Sequence, residues 1–173
     1  MADGILKVGQ ITNSAGSGNI TIGSGVTVNV NRPAFFVVSG STQSIATSTW
    51  TKVVFGTEVY DTDSAFSSNK FTVPTGQGGK YCFTMHPYVY SIDDGKKVEA
   101  RLYKNGSALG SSSLGSSTIR WYGSAANEEM DMAGTFTFEL SAGDYIEMYV
   151  TQDNGTTENI YLYTKLTGYK LGA

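Results

Sequence analysis

His86 is the only histidine in the chain, so any Ser-His-Asp or Cys-His arrangement has to be built on it. The surrounding residues, Lys80 to Tyr90, read as a long strand with Tyr81, Phe83, Met85 and Val89 on one face. His86 falls on the opposite face, with Cys82 four residues back on its own side. Four residues along a strand span roughly 13 Å, too far for direct proton transfer. Cys82 is the only cysteine, which excludes an intrachain disulfide and reads as a small buried hydrophobe. No catalytic residue is assigned, and the chain is expected not to be an enzyme.

Carboxylates in loops are hard ligands suited to calcium. Asp61 with Asp63, and Asp93 with Asp94, are therefore the metal candidates. Their spacing lacks the dense oxygen set of a calcium loop, and turn-forming aspartates that accept backbone N–H groups are the preferred reading. No cofactor is expected, calcium being the one ion the loops suggest. Gly76, Gly78 and Gly79 are followed by neither a Lys-Ser/Thr pair nor a helix, so they form a hairpin turn and not a phosphate cradle.

The more informative chemistry is aromatic. The chain has 11 tyrosines, and Tyr88, Tyr90, Tyr103, Tyr149, Tyr161 and Tyr163 all fall on strands or their ends. A monomer would leave them as exposed apolar patches. Tyrosine combines an apolar ring with a polar tip and suits subunit interfaces and sugar or protein recognition. These six are assigned to an interface between copies of the chain.

The elements that position them are strands. Charged residues make up 16% of the chain, against roughly 25% in an average soluble domain. Gly, Ser and Thr are abundant and Pro is scarce, a mixture for strands and tight turns. Val98, Ala100 and Leu102, then Phe136, Phe138 and Leu140, then Ile146, Met148 and Val150, each alternate with polar or aromatic neighbours. Trp50 to Phe55 and Ile160 to Leu166 alternate likewise. Asn105-Gly106 is a strong hairpin signal. Gly110 to Asn127 reads as a long loop carrying one short strand around Ile119, Trp121 and Tyr122. Eight to ten strands without a helical period imply an antiparallel β-sandwich.

Two parts are expected. Residues 33–173 form the sandwich. Residues 1–32 form a Gly/Ser/Asn-rich arm whose Ile5, Val8, Ile20, Ile22, Val26, Val28 and Val30 carry strand-like alternation without enough apolar mass for a core. The arm must pair with something larger. A net charge of −3 argues against sequence-independent nucleic-acid binding, and no stretch is long enough for membrane insertion. The first residues lack the apolar core of a signal peptide, so synthesis in a host cytoplasm without one is expected.

From Pro33 onward the order of motifs resembles the C1q/TNF-like jelly roll. Arg32-Pro33-Ala34-Phe35 resembles its opening. Phe71-Thr72-Val73-Pro74 followed by Gly79-Lys80-Tyr81-Cys82-Phe83 resembles its most recognisable run. Leu140-Ser141-Ala142-Gly143-Asp144-Tyr145 and Leu166-Thr167-Gly168-Tyr169 resemble its last strands. The resemblance implies an all-β, ten-stranded antiparallel jelly-roll sandwich assembled as a homotrimer. Gly4-Ile5-Leu6-Lys7-Val8-Gly9-Gln10-Ile11 resembles the start of short virion proteins of marine bacteriophages. That likeness implies a virion-surface structural protein, as capsid decoration, head fibre or tail-fibre tip. Its arm would contact other virion proteins, and its exposed domain could adhere to a host surface glycan or protein. A soluble C1q-like lectin or signalling ligand is the alternative.

Overall fold

The computed structural model describes residues 32–109 and 117–172, together with Ser24. The arm positions Ile5, Val8, Ile20, Ile22, Val26, Val28 and Val30, and residues 110–116 of the serine-rich stretch, lie outside the described residues. Among the described residues there is no helix. The strands are β1 (Ala34–Val38), β2 (Gln43–Ile45), β3 (Thr51–Lys52), β4 (Thr57–Asp61), β5 (Phe66–Ser67), β6 (Lys70–Thr72), β7 (Gly79–His86) and β8 (Tyr88–Ile92). They continue as β9 (Lys97–Lys104), β10 (Ser107–Ala108), β11 (Thr118–Tyr122), β12 (Glu128–Asp131), β13 (Gly134–Leu140), β14 (Tyr145–Gln152), β15 (Glu158–Ile160) and β16 (Lys165–Gly172).

Three antiparallel sheets result. One has five strands in the order β13-β7-β16-β1-β4. A second runs β10-β9-β14-β6-β5, with β11 also on β9 and β3 also on β14. A third, smaller sheet has the order β12-β8-β15-β2. The first two sheets face each other across an aromatic seam. The Phe35 and Phe71 rings stack at 4.9 Å, Phe71 meets Phe83 edge-on at 5.8 Å, and Phe35 stacks on Phe66 at 5.1 Å. Val98, Ala100, Leu102, Ile146, Met148 and Val150 close the seam from the second sheet, all fully buried. Each such large side chain contributes about 1.5–3 kcal/mol relative to an exposed one. Tyr81 lies in the seam and donates its hydroxyl to the Gln77 carbonyl at 2.7 Å. Burial, with Asp63 adding to it, pushes this phenol up to about 12.

Several expected strands are shorter or broken. The stretch Lys80 to Tyr90 is two strands, because Pro87 has no N–H to give a ladder. β7 pairs with β13 and β16, whereas β8 pairs with β12 and β15. Ile160 to Leu166 is broken by a turn in which Thr164 N–H donates to Tyr161 O at 3.0 Å. The buried Thr164 hydroxyl accepts the Tyr88 N–H at 3.0 Å, so both breaks are tied together. In Trp50 to Phe55 only Thr51–Lys52 is strand, and Val53 turns into the core. The short strand expected after residue 110 is β11, which pairs with β9 through five residues. The described residues hold sixteen strands in place of the eight to ten expected, because many pieces are two or three residues long.

The Asn105-Gly106 hairpin forms as expected, both residues having positive φ (52° and 77°). Asn105 donates to Asp144 Oδ1 at 2.7 Å and accepts the Tyr145 N–H at 2.9 Å. Lys104 Nζ lies 2.7 Å from Asp144 Oδ2 and, with these hydrogen bonds, holds that carboxyl down at about 2.

Gly168 sits where β16 crosses the aromatic seam. A Cβ there would lie 2.6 Å from carbons of both the Phe35 and the Phe83 rings. Gly168→Ala is expected to cost about 1–3 kcal/mol through overpacking, read as a lower denaturant midpoint at unchanged slope. A midpoint equal to the parent's would show that the seam is not close-packed.

Candidate functional site

Residues directly opposite one another in an antiparallel sheet share a face, so the register of the five-stranded sheet defines its outer surface row by row. One row crosses all five strands: Tyr60, Phe36, Thr167, Thr84 and Thr135. The next is Ala34, Tyr169, Cys82 and Thr137. Neither row contains a charge. Charged residues begin only beyond them, with Lys165 opposite His86 at one end, and Lys80 opposite Glu139 at the other, Lys165, Lys80 and Glu139 carrying the charge. Within this surface Phe36 and Tyr60 pack edge-on at 6.1 Å, and the Thr84 and Thr135 hydroxyls bond at 2.8 Å. Tyr60 and Tyr169 remain 47% exposed and Leu171 42%. No other layer of the described residues covers these rows.

The same surface continues past Pro87. Of the six tyrosines assigned from sequence, four meet here. Tyr90 and Tyr161 rings pack edge-on at 4.4 Å, Tyr88 touches both, and Tyr161 touches Tyr163 at 5.2 Å. Glu129 and Asp131 of β12 point the same way. Glu129 accepts the Tyr88 hydroxyl, and this bond is the main reason the Tyr88 phenol is raised. Asp131 Oδ1 lies 3.0 Å from His86 Nε2, while His86 Nδ1 is buried and has no hydrogen-bond partner. His86 and Cys82 do share a face, as the alternation predicts, but their neighbours are Lys165, Tyr169 and Asp131.

Tyr103 and Tyr149 are elsewhere. Their rings pack at a tilt, 4.1 Å apart, on the outer face of the seven-stranded sheet, on the other side of the core. Trp50 lies 6.3 Å from Tyr103, and the Arg101 guanidinium sits 4.6 Å over the Trp50 ring. Charges here are paired within the face. Lys52 meets Glu147 at 2.7 Å, and the nearly buried Glu99 carboxylate takes Arg120 Nε at 2.8 Å and Lys97 at 3.1 Å. Burial pushes Glu99 up, but these hydrogen bonds outweigh it and the net shift is downward. Sequence reading overlooked Trp50 with Arg101, which are far apart in the chain. It also overlooked the Phe36, Tyr60 and threonine row, whose signal was the parity opposite Phe35, Phe83 and Leu166.

The loop aspartates do not converge. Asp61 accepts the N–H groups of Phe66 (2.7 Å) and Asp63 (3.3 Å), and Asp63 accepts the Thr62 hydroxyl at 2.9 Å. Asp93 accepts the Asn127 N–H at 3.2 Å. Among the described residues no group of three or more His, Cys, Asp or Glu is placed to hold a metal ion.

No family model and no curated protein matches the chain. Solved structures do. The globular domain of zebrafish complement 1qA protein is 17% identical over 81% of this chain and 98% of its own, with a TM-score of 0.55. Murine APRIL is 18% identical over 82% of this chain and 100% of its own, with a TM-score of 0.56. Eiger TNF from S. frugiperda is 11% identical over 82% of this chain and 92% of its own, with a TM-score of 0.52. The fold is thus the C1q/TNF-like jelly roll that the order of motifs implied.

Since Asp61 and Asp63 accept hydrogen bonds within their own loop and Asp93 accepts one from Asn127, millimolar calcium is expected to leave the melting temperature within about 1 °C of its value in chelator, because a ligand that does not bind the native state adds no stability. A rise of several degrees on adding calcium would restore the loops as a metal site.

Proposed function

We propose that this chain is a non-enzymatic, homotrimeric structural protein of a bacteriophage particle. The jelly roll of residues 33–173 would trimerise and stand exposed on the virion surface, and the arm of residues 1–32 would anchor it to other virion proteins, as capsid decoration, head fibre or tail-fibre tip. The observation that carries assembly is the pair of uncharged rows across the five-stranded sheet. An apolar and threonine-rich face that spans a whole sheet, with charges only at its two ends, has the make-up of an interface core with a polar rim. The tyrosines Tyr88, Tyr90, Tyr161 and Tyr163 extend that face, and rings of this kind dominate interface energetics. The three-fold state follows from the resemblance to C1q/TNF-like domains. The particle and the anchor follow from the resemblance of residues 4–11 to phage virion proteins.

A second reading, a soluble lectin or signalling ligand, draws support from the neighbours themselves, which are a complement domain and TNF-type proteins.

Thr84 lies in the middle of the uncharged row. Thr84→Arg is expected to turn a trimer into a monomer with an unchanged β-type circular dichroism spectrum, because an unpaired charge at an interface centre costs several kcal/mol. Light scattering during size exclusion reads the outcome, and a parent protein that elutes as a monomer at micromolar concentration would defeat the assembly proposal.

Removal of residues 1–32 tests the anchor separately. The truncated chain is expected to remain a trimer and to fail to join particles in a reconstitution assay. Truncated protein that still decorates particles would transfer the anchoring role to the jelly roll.

A further inference from the structure

The outer face of the seven-stranded sheet is turned away from the surface proposed for assembly, and its chemistry differs. Beside Trp50 lies a concavity of about 180 Å³ whose wall includes Ser48, Lys97, Glu99, Thr151 and Asp153. It is small and mainly polar, with one apolar wall, the indole, and several polar groups converging on one space. Glu99 and Thr151 are only 6% and 7% exposed, so little water competes for the hydrogen bonds they make. An aromatic track leads out of it, from Trp50 to Tyr103 and on to Tyr149.

Charge decides what class of ligand fits. Lys52, Lys97, Arg120 and Lys104 each already face a carboxylate of the chain. Arg101 is held over the Trp50 ring and donates to the Thr118 hydroxyl at 2.7 Å. The concavity itself contains two carboxylates, Glu99 and Asp153, against one ammonium, Lys97. A sulfated or sialylated sugar would find in the lining only the Lys97 ammonium, already paired with the Glu99 carboxylate that also holds Arg120. A peptide strand would find no unpaired sheet edge in the concavity, because β9 and β14 beneath it pair with each other and β3 pairs with β14 in the plane of the sheet. A pyranose ring offers what the site can use: an apolar C–H face for the indole and a rim of hydroxyls that donate to carboxylates.

We propose that this concavity binds one ring of a neutral oligosaccharide, stacked on Trp50 with its hydroxyls held by Asp153 and Glu99, and that the following rings run over Tyr103 and Tyr149. The site deepens the adhesive role within the proposed function by naming the face and the glycan class. Its single-site binding belongs to one chain, and only its multivalency rests on the trimer, in which three such faces point outward and weak contacts multiply through avidity.

The test uses the full chain carrying Trp121→Phe, so that Trp50 is the sole fluorescent indole. The probes are maltotriose, cellotriose, mannotriose and N,N′,N″-triacetylchitotriose as neutral arms, with 3′-sialyllactose and a heparin tetrasaccharide as anionic arms. At least one neutral probe is expected to change the Trp50 emission saturably, and both anionic probes are expected to leave it unchanged. Asp153→Asn keeps the oxygen that accepts the Lys97 N–H at 2.7 Å, so it is expected to melt like the parent yet weaken binding about tenfold, the loss of a hydrogen bond to a charged group. Trp50→Ala, followed by calorimetry, is expected to abolish detectable binding; if that variant does not fold, Asp153→Asn decides. Silence from every neutral probe, response to the anionic probes alone, or unchanged affinity in Asp153→Asn overturns the proposal. Saturable binding by a protein that sizes as a monomer would keep this site and remove the trimer, and a trimer without binding would do the reverse.

Discussion

The aromatic seam between the two large sheets is the constraint from which the rest follows. Phe35, Phe71 and Phe83 can meet only if β1, β6 and β7 present odd-numbered residues inward, and Gly168 leaves room for them where β16 crosses. Once that parity is set, a slip of one residue would turn every core side chain to solvent. The even-numbered residues of β1, β7 and β12's neighbour β8, and the odd-numbered residues of β16, then have no choice of side. The uncharged rows outside the five-stranded sheet are thus fixed by the packing inside it.

The two outer faces carry the same kinds of aromatic residue but opposite electrostatic solutions. Outside the five-stranded sheet, polar needs are met by threonine hydroxyls that bond to one another or to backbone, as Thr84 does to Thr135 and Thr167 to Phe35 O at 2.8 Å. Such groups can be buried without leaving a charge unpaired. Outside the seven-stranded sheet, cations and carboxylates are interleaved at short range, Lys52 with Glu147 and Glu99 between Arg120 and Lys97. That pattern keeps a face soluble while placing donors and acceptors at fixed positions. One surface suits burial against a like surface, and the other suits contact with a polar ligand in water.

Much of this was legible in the sequence because period-two alternation reports parity directly. Phe83, Met85, Leu102, Met148 and Val150 are inward as the alternation requires, and Asn105-Gly106 marks its hairpin through the positive φ both residues tolerate. What was not legible was where a continuous alternation changes sheet. Pro87 keeps the parity of its neighbours and is itself buried, so the pattern runs straight through a break that only the missing N–H reveals. Trp50 against Arg101, and Tyr90 against Tyr161, depend on which strands become neighbours, and a local pattern holds no record of that. This is why six tyrosines that look alike in sequence separate into a group of four and a group of two.

Four tyrosines gather beside the break at Pro87. There the chain passes to the small sheet, where Tyr88 and Tyr90 meet Tyr161 and Tyr163 from the matching break before β16. Thr164 joins the two breaks through its hydroxyl, which accepts from Tyr88 N–H and donates to Tyr88 O at 3.3 Å. Two interruptions that each cost ladder hydrogen bonds are therefore coupled into one corner. The corner projects a rigid aromatic cluster, with Glu129 and Asp131 beside it, as a continuation of the uncharged sheet face. Rings held by one another lose little freedom when a second surface covers them, so the proposed assembly would cost this corner little order.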